Sequence, residues 1–278
     1  MKARLSLLIL LLLSGVLPLN VNAQNDLSST QPCYRLNGKY IGSYFGDSWK
    51  IIKSPVSWEG NDWLKAGIFA GSWFALYTQD KPIQEFFQRN RSPLSSNASK
   101  YFFDPLGYGL YTLPVFGGLY LYGAFADQPE TLHFALTGVK VFVISGVFAE
   151  AIKHFSHRHR PYQDQPPDPG NWDGPFSLLK YDAFPSGHTI TAFASAAFFT
   201  NYFPEKKWVG WLSYSLATGV GLSRLNDNKH WATDVLAGAV LGHYIGKFLS
   251  GGPCREKAVD LTVIANNYGG ISLIYRIN

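Results

Sequence analysis

Six long apolar blocks limit what this chain can fold into. They run from Leu64 to Tyr77, Leu106 to Ala126, Leu132 to about Phe155, Thr189 to Phe203, Trp208 to Ser223 and Trp231 to about Leu249. Most are long enough for helices and lack the strict alternation of a half-buried strand. The expected fold class is therefore all-α, a six-helix bundle. Helix ends are marked by Pro129-Glu130-Thr131 before the third block, Pro204 after the fourth and Gly251-Gly252-Pro253 after the sixth. Beyond them, Leu261–Ala265 and Ile271–Ile277 favour strands and flank the turn-forming run Asn266-Asn267-Tyr268-Gly269-Gly270, so a short C-terminal β-hairpin is expected.

A chain of 278 residues without a long internal linker suits one large domain with extensions. Residues 1–23 combine Lys2 and Arg4, the apolar run Leu5–Leu13 and Val21-Asn22-Ala23, the three-part form of a secretory signal. Residues 24–60 read as an irregular lead-in, 61–250 as the helical domain and 251–278 as a tail with the hairpin. Gln88–Ser99 looks like a surface loop, and there is no internal repeat. Export would permit Cys33 and Cys254 to oxidise, although the sequence does not say whether they meet. The net charge of +5 suits acidic partners or an anionic membrane face, but no basic run of the kind that tracks nucleic acid is present.

Three polar clusters fall at helix boundaries: Lys153 to Arg160-Pro161; Pro185-Ser186-Gly187-His188; and Ser223-Arg224 followed by His230 and Asp234. With antiparallel neighbours, the end of the third helix, the start of the fourth, the end of the fifth and the start of the sixth lie on one side of the bundle. Lys153, Arg160 and Arg224, beside the Ser186-Gly187-His188 backbone at a helix start, suit a phosphate-like oxyanion. Guanidinium forks match tetrahedral oxygens, and helix N-termini present free N–H groups. His230 and Asp234, four apart on the predicted sixth helix, would share a face, the carboxylate holding the imidazole in one tautomer as a nucleophile. His188 supplies a second imidazole for proton transfer. His154, His157 and His159 do not share a helical face, and no metal ligation is expected. Arg158 reads as a surface or loop charge.

Together, Lys-x6-Arg-Pro, Pro-Ser-Gly-His and Ser-Arg-x5-His-x3-Asp resemble the superfamily of type 2 phosphatidic acid phosphatases (PAP2) and vanadium haloperoxidases; all eleven fixed positions match. The intervals are also similar: 23 residues separate Pro161 from Pro185, and 34 separate His188 from Ser223. The resemblance covers roughly residues 60–250, and the stretch from His230 to Gly238 looks more like the lipid-phosphatase branch than the soluble acid phosphatases. It implies a six-helix core, His230 as nucleophile, Asp234 as its orienting partner and His188 as general acid. It also implies phosphate binding by Lys153, Arg160, Ser186, Gly187 and Arg224, without a cofactor.

The expected activity is metal-independent hydrolysis of a phosphomonoester or pyrophosphate, of a lipid or a small molecule, through a phosphohistidine. Vanadate shares the shape of phosphate and would occupy the same site, so a vanadate-dependent haloperoxidase is the alternative chemistry; a noncatalytic phosphate-binding envelope protein is the third class. Leu106–Ala126, 21 residues without a charge, is long enough to cross a bilayer. The mean hydropathy of −0.03 is nevertheless low for six spans. A signal that leaves residue 24 outside would also deliver the site to the cytoplasm after three crossings. Either a membrane-contacting bundle whose first helix does not cross or a soluble periplasmic domain would keep the site outside.

Overall fold

The computed structural model describes residues 33–177, 181–251, 254, 259–265 and 271–277. The expected signal sequence at 1–23 and the expected turn at 266–270 lie outside the described residues. The helices are α1 (Gly38–Lys53), α2 (Gly60–Tyr77), α3 (Asp80–Arg89), α4 (Pro93–Ala98), α5 (Asp104–Gly107), α6 (Thr112–Phe125), α7 (Pro129–Ser156), α8 (Gly187–Tyr202), α9 (Lys207–Asn226) and α10 (Ala232–Ser250). A short π-helical stretch, Ser99–Phe103, joins α4 to α5. Strands β1 (Val259–Ala265) and β2 (Ile271–Ile277) pair antiparallel in a two-stranded sheet of their own.

The expectation of a six-helix bundle therefore needs correction. The described residues hold ten α-helical segments together with that sheet. Three differences have local causes. The lead-in is not irregular throughout: Asn37, in an extended conformation, caps α1 by accepting the Tyr40 N–H at 2.9 Å. Tertiary contacts then hold a segment whose glycines and serines hid its helical pattern. The second apolar block is broken, because Gly109 takes a left-handed conformation (φ 79°) where a β-carbon would strike the Phe142 ring. The resulting α6 has 14 residues, short of a bilayer span. Gln88–Ser99 is partly helical: Ser92 and Ser95 form a reciprocal cap before Pro93–Ala98.

Among the described residues one helix, α7, is long and apolar enough to cross a membrane, and 56% of its apolar window is already buried by the protein. It begins with Pro at its first position and stops at His157, whose left-handed backbone (φ 43°) returns its N–H to the Lys153 carbonyl. Midway along it, buried Lys140 donates to Tyr34 Oη (2.9 Å), Ser43 Oγ (3.0 Å) and Asp47 Oδ2 (2.6 Å). All three ammonium protons are thus satisfied, which allows a lysine inside the apolar block and docks α1 against α7. A disulfide joins Cys33 to Cys254, closing the chain from before α1 to beyond α10.

α8 is central, packing against α7, α9 and α10. Its contact with α10 is backbone-close. A β-carbon at Gly242 would meet the Ile190 carbonyl, and one at Gly246 the Ala194 carbonyl. Phe116, Val141, Ile144, Phe198, Ile245 and Leu249 fill the core beside this contact, joined by Ile51 of α1. Loss of a ring such as Phe198 from a close-packed core costs about 3–5 kcal/mol. This packing fixes the helix ends that carry the polar clusters.

Candidate active site

The predicted convergence of helix ends is realised. The Lys153 ammonium, at the last turn of α7, lies 3.4 Å from where a β-carbon on Gly187 would sit, at the start of α8. His230, between α9 and α10, reaches the carbonyl of Ala183 in the loop before α8. Arg224, in the last turn of α9, pairs by a short contact with Asp104 at the start of α5. The charges of Arg160, Lys153 and Arg224 all bear on His230.

His230 does not lie on the sixth long helix. It precedes Trp231, whose extended backbone caps α10. Asp234 is the third residue of that helix, and its Oδ2 accepts the Trp231 N–H at 2.7 Å. The same oxygen stands 3.7 Å from His230 Nδ1, beyond hydrogen-bond range. The partner of Nδ1 is the Ala183 carbonyl, at 2.7 Å. A carbonyl can only accept, so Nδ1 carries the proton and Nε2 the lone pair. Burial, followed by Arg160 and Lys153, holds the His230 imidazole well below its ordinary pKa, so the ring is neutral.

Each cation already has a carboxylate. Lys153 pairs with Glu150 at 2.7 Å. Arg160 presents Nε and Nη2 to the two oxygens of Asp182, both at 2.7 Å. Arg224, fully buried, contacts Asp104, Asp227 and Ser223. Ser186 is also fully buried; its N–H goes to the Asp234 carbonyl and its Oγ accepts from Thr189. Its N–H is thus committed to joining α8 and α10 rather than to an anion. Gly187, with no side chain, leaves room for the Lys153 ammonium at the helix start.

His188 meets the Tyr108 ring edge-on, with centroids 4.2 Å apart. Its Nε2 lies 3.2 Å from Asp104 Oδ1, but the angle is too poor for a hydrogen bond. Burial, then Arg224, pushes its pKa down to about 3, with Asp104 opposing. Asp104 is pushed up by burial, but Arg224 foremost among its cations holds it below the usual carboxylate range.

Arg158 corrects the surface reading of the sequence: it is fully buried and ion-paired with Asp80 and Asp234. Asp80, Asp104 and Ala183 were not foreseen, because no local pattern marks a residue that meets its partner far along the chain. Of the three histidines before Pro161, His159 stacks on Tyr181 (3.6 Å) and contacts Asp164. Among the described residues, no group of three His, Cys, Asp or Glu side chains is placed to hold a metal ion.

Residues 134–252 match the family model of the PAP2 superfamily. Over that segment, less than half of its length, the chain is similar to this superfamily. The matched segment contains all eight residues expected to act, from Lys153 to Asp234, but neither Asp80 nor Asp104. A lipid A 1-phosphatase of Porphyromonas gingivalis is 43% identical over 67 residues, 24% of this chain and 15% of that protein. An undecaprenyl-diphosphatase of Sulfolobus acidocaldarius is 32% identical over 125 residues, 44% of this chain and 55% of that one. The chain thus spans at most about half the length of these relatives. A transmembrane PAP2-type phosphatidylglycerolphosphate phosphatase of Bacillus subtilis aligns at 25% identity and a TM-score of 0.47, covering 68% of this chain and 91% of that one.

Proposed function

We propose that the protein is a metal-independent PAP2-type phosphatase that removes phosphate from a phosphomonoester or diphosphate of a lipid. The observation that carries this is the single-tautomer imidazole of His230, its Nδ1 bound to Ala183 and the charges of Lys153, Arg160 and Arg224 bearing on it. In the first step Nε2 attacks phosphorus, the P–O bond to the leaving group breaks, and His188 gives that oxygen a proton. In the second, water attacks the phosphohistidine, His188 takes the water proton, and the P–N bond breaks to release phosphate. The three cations stabilise charge on the transferring phosphoryl group. His188, driven to about pH 3 in the free protein, gains basicity when a phosphate dianion neutralises the cations beside it.

The lipid character is supported by an apolar cavity of about 540 Å³ lined by Pro105, Tyr108, Leu110, Leu113 and Pro114, with Asp104 at its edge. Asp104 also contacts Arg224 and lies beside His188, so the cavity adjoins the anion site. Large apolar side chains stand exposed on several helices, among them Trp63 and Phe74 on α2, Phe125 on α6 and Trp211 on α9. Surface of this kind suits contact with a bilayer. The disulfide suits an oxidising compartment, consistent with export to the periplasm or cell envelope.

Phosphate release from phosphatidate, a polyprenyl diphosphate and a soluble aryl phosphate, measured in detergent with a chelator present, tests this function. Turnover of the lipids above the aryl phosphate, insensitive to chelation, is expected. Absence of turnover on all three would end the proposal, and turnover abolished by the chelator would remove the metal-independent route.

A further inference from the structure

The His230 imidazole has two neighbours at Nδ1, the Ala183 carbonyl and the Asp234 carboxylate, and both are tied to one residue. The backbone carbonyl of Arg158 accepts the Ala183 N–H at 3.0 Å. The side chain of Arg158 sends Nη1 to Asp234 Oδ1 at 2.5 Å and to Thr233 Oγ1 at 2.7 Å. Nη2 reaches Asp80 Oδ2 at 2.7 Å and the Pro169 carbonyl at 3.0 Å, and Nε reaches that carbonyl at 3.2 Å. All five guanidinium protons are used, so Arg158 has none left for a substrate phosphate. Its flat faces are enclosed by Trp172, Tyr77 and Trp231, at 4.7, 5.3 and 5.5 Å from the ring centroids.

Asp80 completes the assembly from α3, outside the matched PAP2 segment. It is fully buried, and it receives the Thr233 N–H at 3.0 Å and the Thr233 hydroxyl at 2.5 Å. Two carboxylates thus share one guanidinium, leaving a formal charge of −1 in the interior. When Nε2 bonds to phosphorus while Nδ1 keeps its proton, the ring becomes positive. Asp80, Arg158, Asp234 and His230 then sum to zero. The surplus charge is placed to favour the phosphorylated state over the resting one.

Building on the phosphatase function above, we propose that Arg158, clamped by Asp80, is a positioning residue for the nucleophile, fixing Ala183 and Asp234 about His230. It touches no reacting atom; it acts through the two groups that face Nδ1.

The experiment compares wild type with Arg158→Lys and Asp80→Asn in four measurements: kcat on the best lipid phosphate, inhibition by inorganic phosphate, melting temperature and the ring ¹⁵N shifts of histidine-labelled protein, assigned with His230→Gln. Lysine keeps the charge but cannot span both carboxylates, so kcat is expected to fall by about 100-fold. The phosphate inhibition constant should stay within about threefold, since Lys153, Arg160 and Arg224 are untouched. Asp80→Asn should fall in the same direction by less, because Arg158 still reaches Asp234. The His230 shifts should report one Nδ1-protonated tautomer in wild type and a mixture in Arg158→Lys. A folded Arg158→Lys protein with kcat within threefold of wild type and the same His230 shifts would overturn the proposal. So would losses of kcat and phosphate affinity in equal proportion to lost folded protein, which would mark a purely structural role. If wild type turns over no phosphoester, the phosphatase function fails separately, and the ¹⁵N comparison still decides whether Arg158 positions His230.

Discussion

His230 Nδ1 is hydrogen-bonded to the Ala183 carbonyl at 2.7 Å, while the nearest Asp234 oxygen lies 3.7 Å away. The tautomer is therefore set by a backbone group, while Asp234 caps α10 and pairs with Arg158. This division of labour makes the two residues unequal under mutation.

Asp234→Asn should keep the Trp231 cap but lose the charge opposite the developing imidazolium. Because Ala183 still holds the tautomer, kcat should fall by roughly 10²-fold, short of the ~10⁴-fold loss found where a carboxylate sets the tautomer. Leaving Arg158 half-paired in the interior should also cost about 3–5 kcal/mol of stability. Steady-state kinetics and denaturant unfolding measure the two effects separately.

Gly107→Ala places a β-carbon 2.7 Å from His188 Cδ2. The imidazole must shift, which should reduce kcat by about 10-fold or more, since general acid–base catalysis contributes ~10²–10⁴-fold. Inhibition by inorganic phosphate should change little. An unaltered kcat would show that the position of His188 is not critical.

Stability should decline as pH falls below about 6.5, the unfolded histidine pKa. In the folded protein His188 accepts a proton only near pH 3 and His230 well below its ordinary range, whereas the unfolded chain protonates both earlier. Asp234 has the opposite sign. Burial raises its pKa to about 6, so its contribution favours the fold at low pH and is lost as pH rises through that value. Melting curves from pH 7 to 4 should show a net loss, and His188→Gln should make the slope shallower.

The helix-end residues were legible in the sequence, and the buried network was not, for a physical reason. Lys153, His188 and Arg224 lie in the first or last turn of a long helix, where Pro and Gly punctuate the chain and short spacings carry the geometry. The ion pairs of Arg158 with Asp234 and Asp80 span 76 and 78 residues, and no local periodicity encodes them. A charged Arg beside Arg160 looks solvated until Trp172, Tyr77 and Trp231 close around it. The break in the second apolar block turned on one backbone angle at Gly109, invisible to a count of apolar residues. Lys140 interrupts α7 in sequence yet is fully satisfied by α1 and the segment before it.

Cys33→Ser or Cys254→Ser should lower stability by about 2–5 kcal/mol, since the bond closes a long loop and restricts the unfolded chain. Thermal unfolding with and without reductant measures this. The active-site groups are tied to α7–α10 rather than to the disulfide, so residual activity at low temperature should be near wild type.

The phosphohistidine is open to direct capture. Rapid acid-free quenching after mixing with substrate ³²P-labelled in the transferable phosphate should leave a base-stable, acid-labile label on the peptide containing His230, absent in His230→Ala, whose turnover should fall by on the order of 10⁴-fold or more. Label on another residue, or His230→Ala turning over near the wild-type rate, would contradict the assignment of His230 as nucleophile.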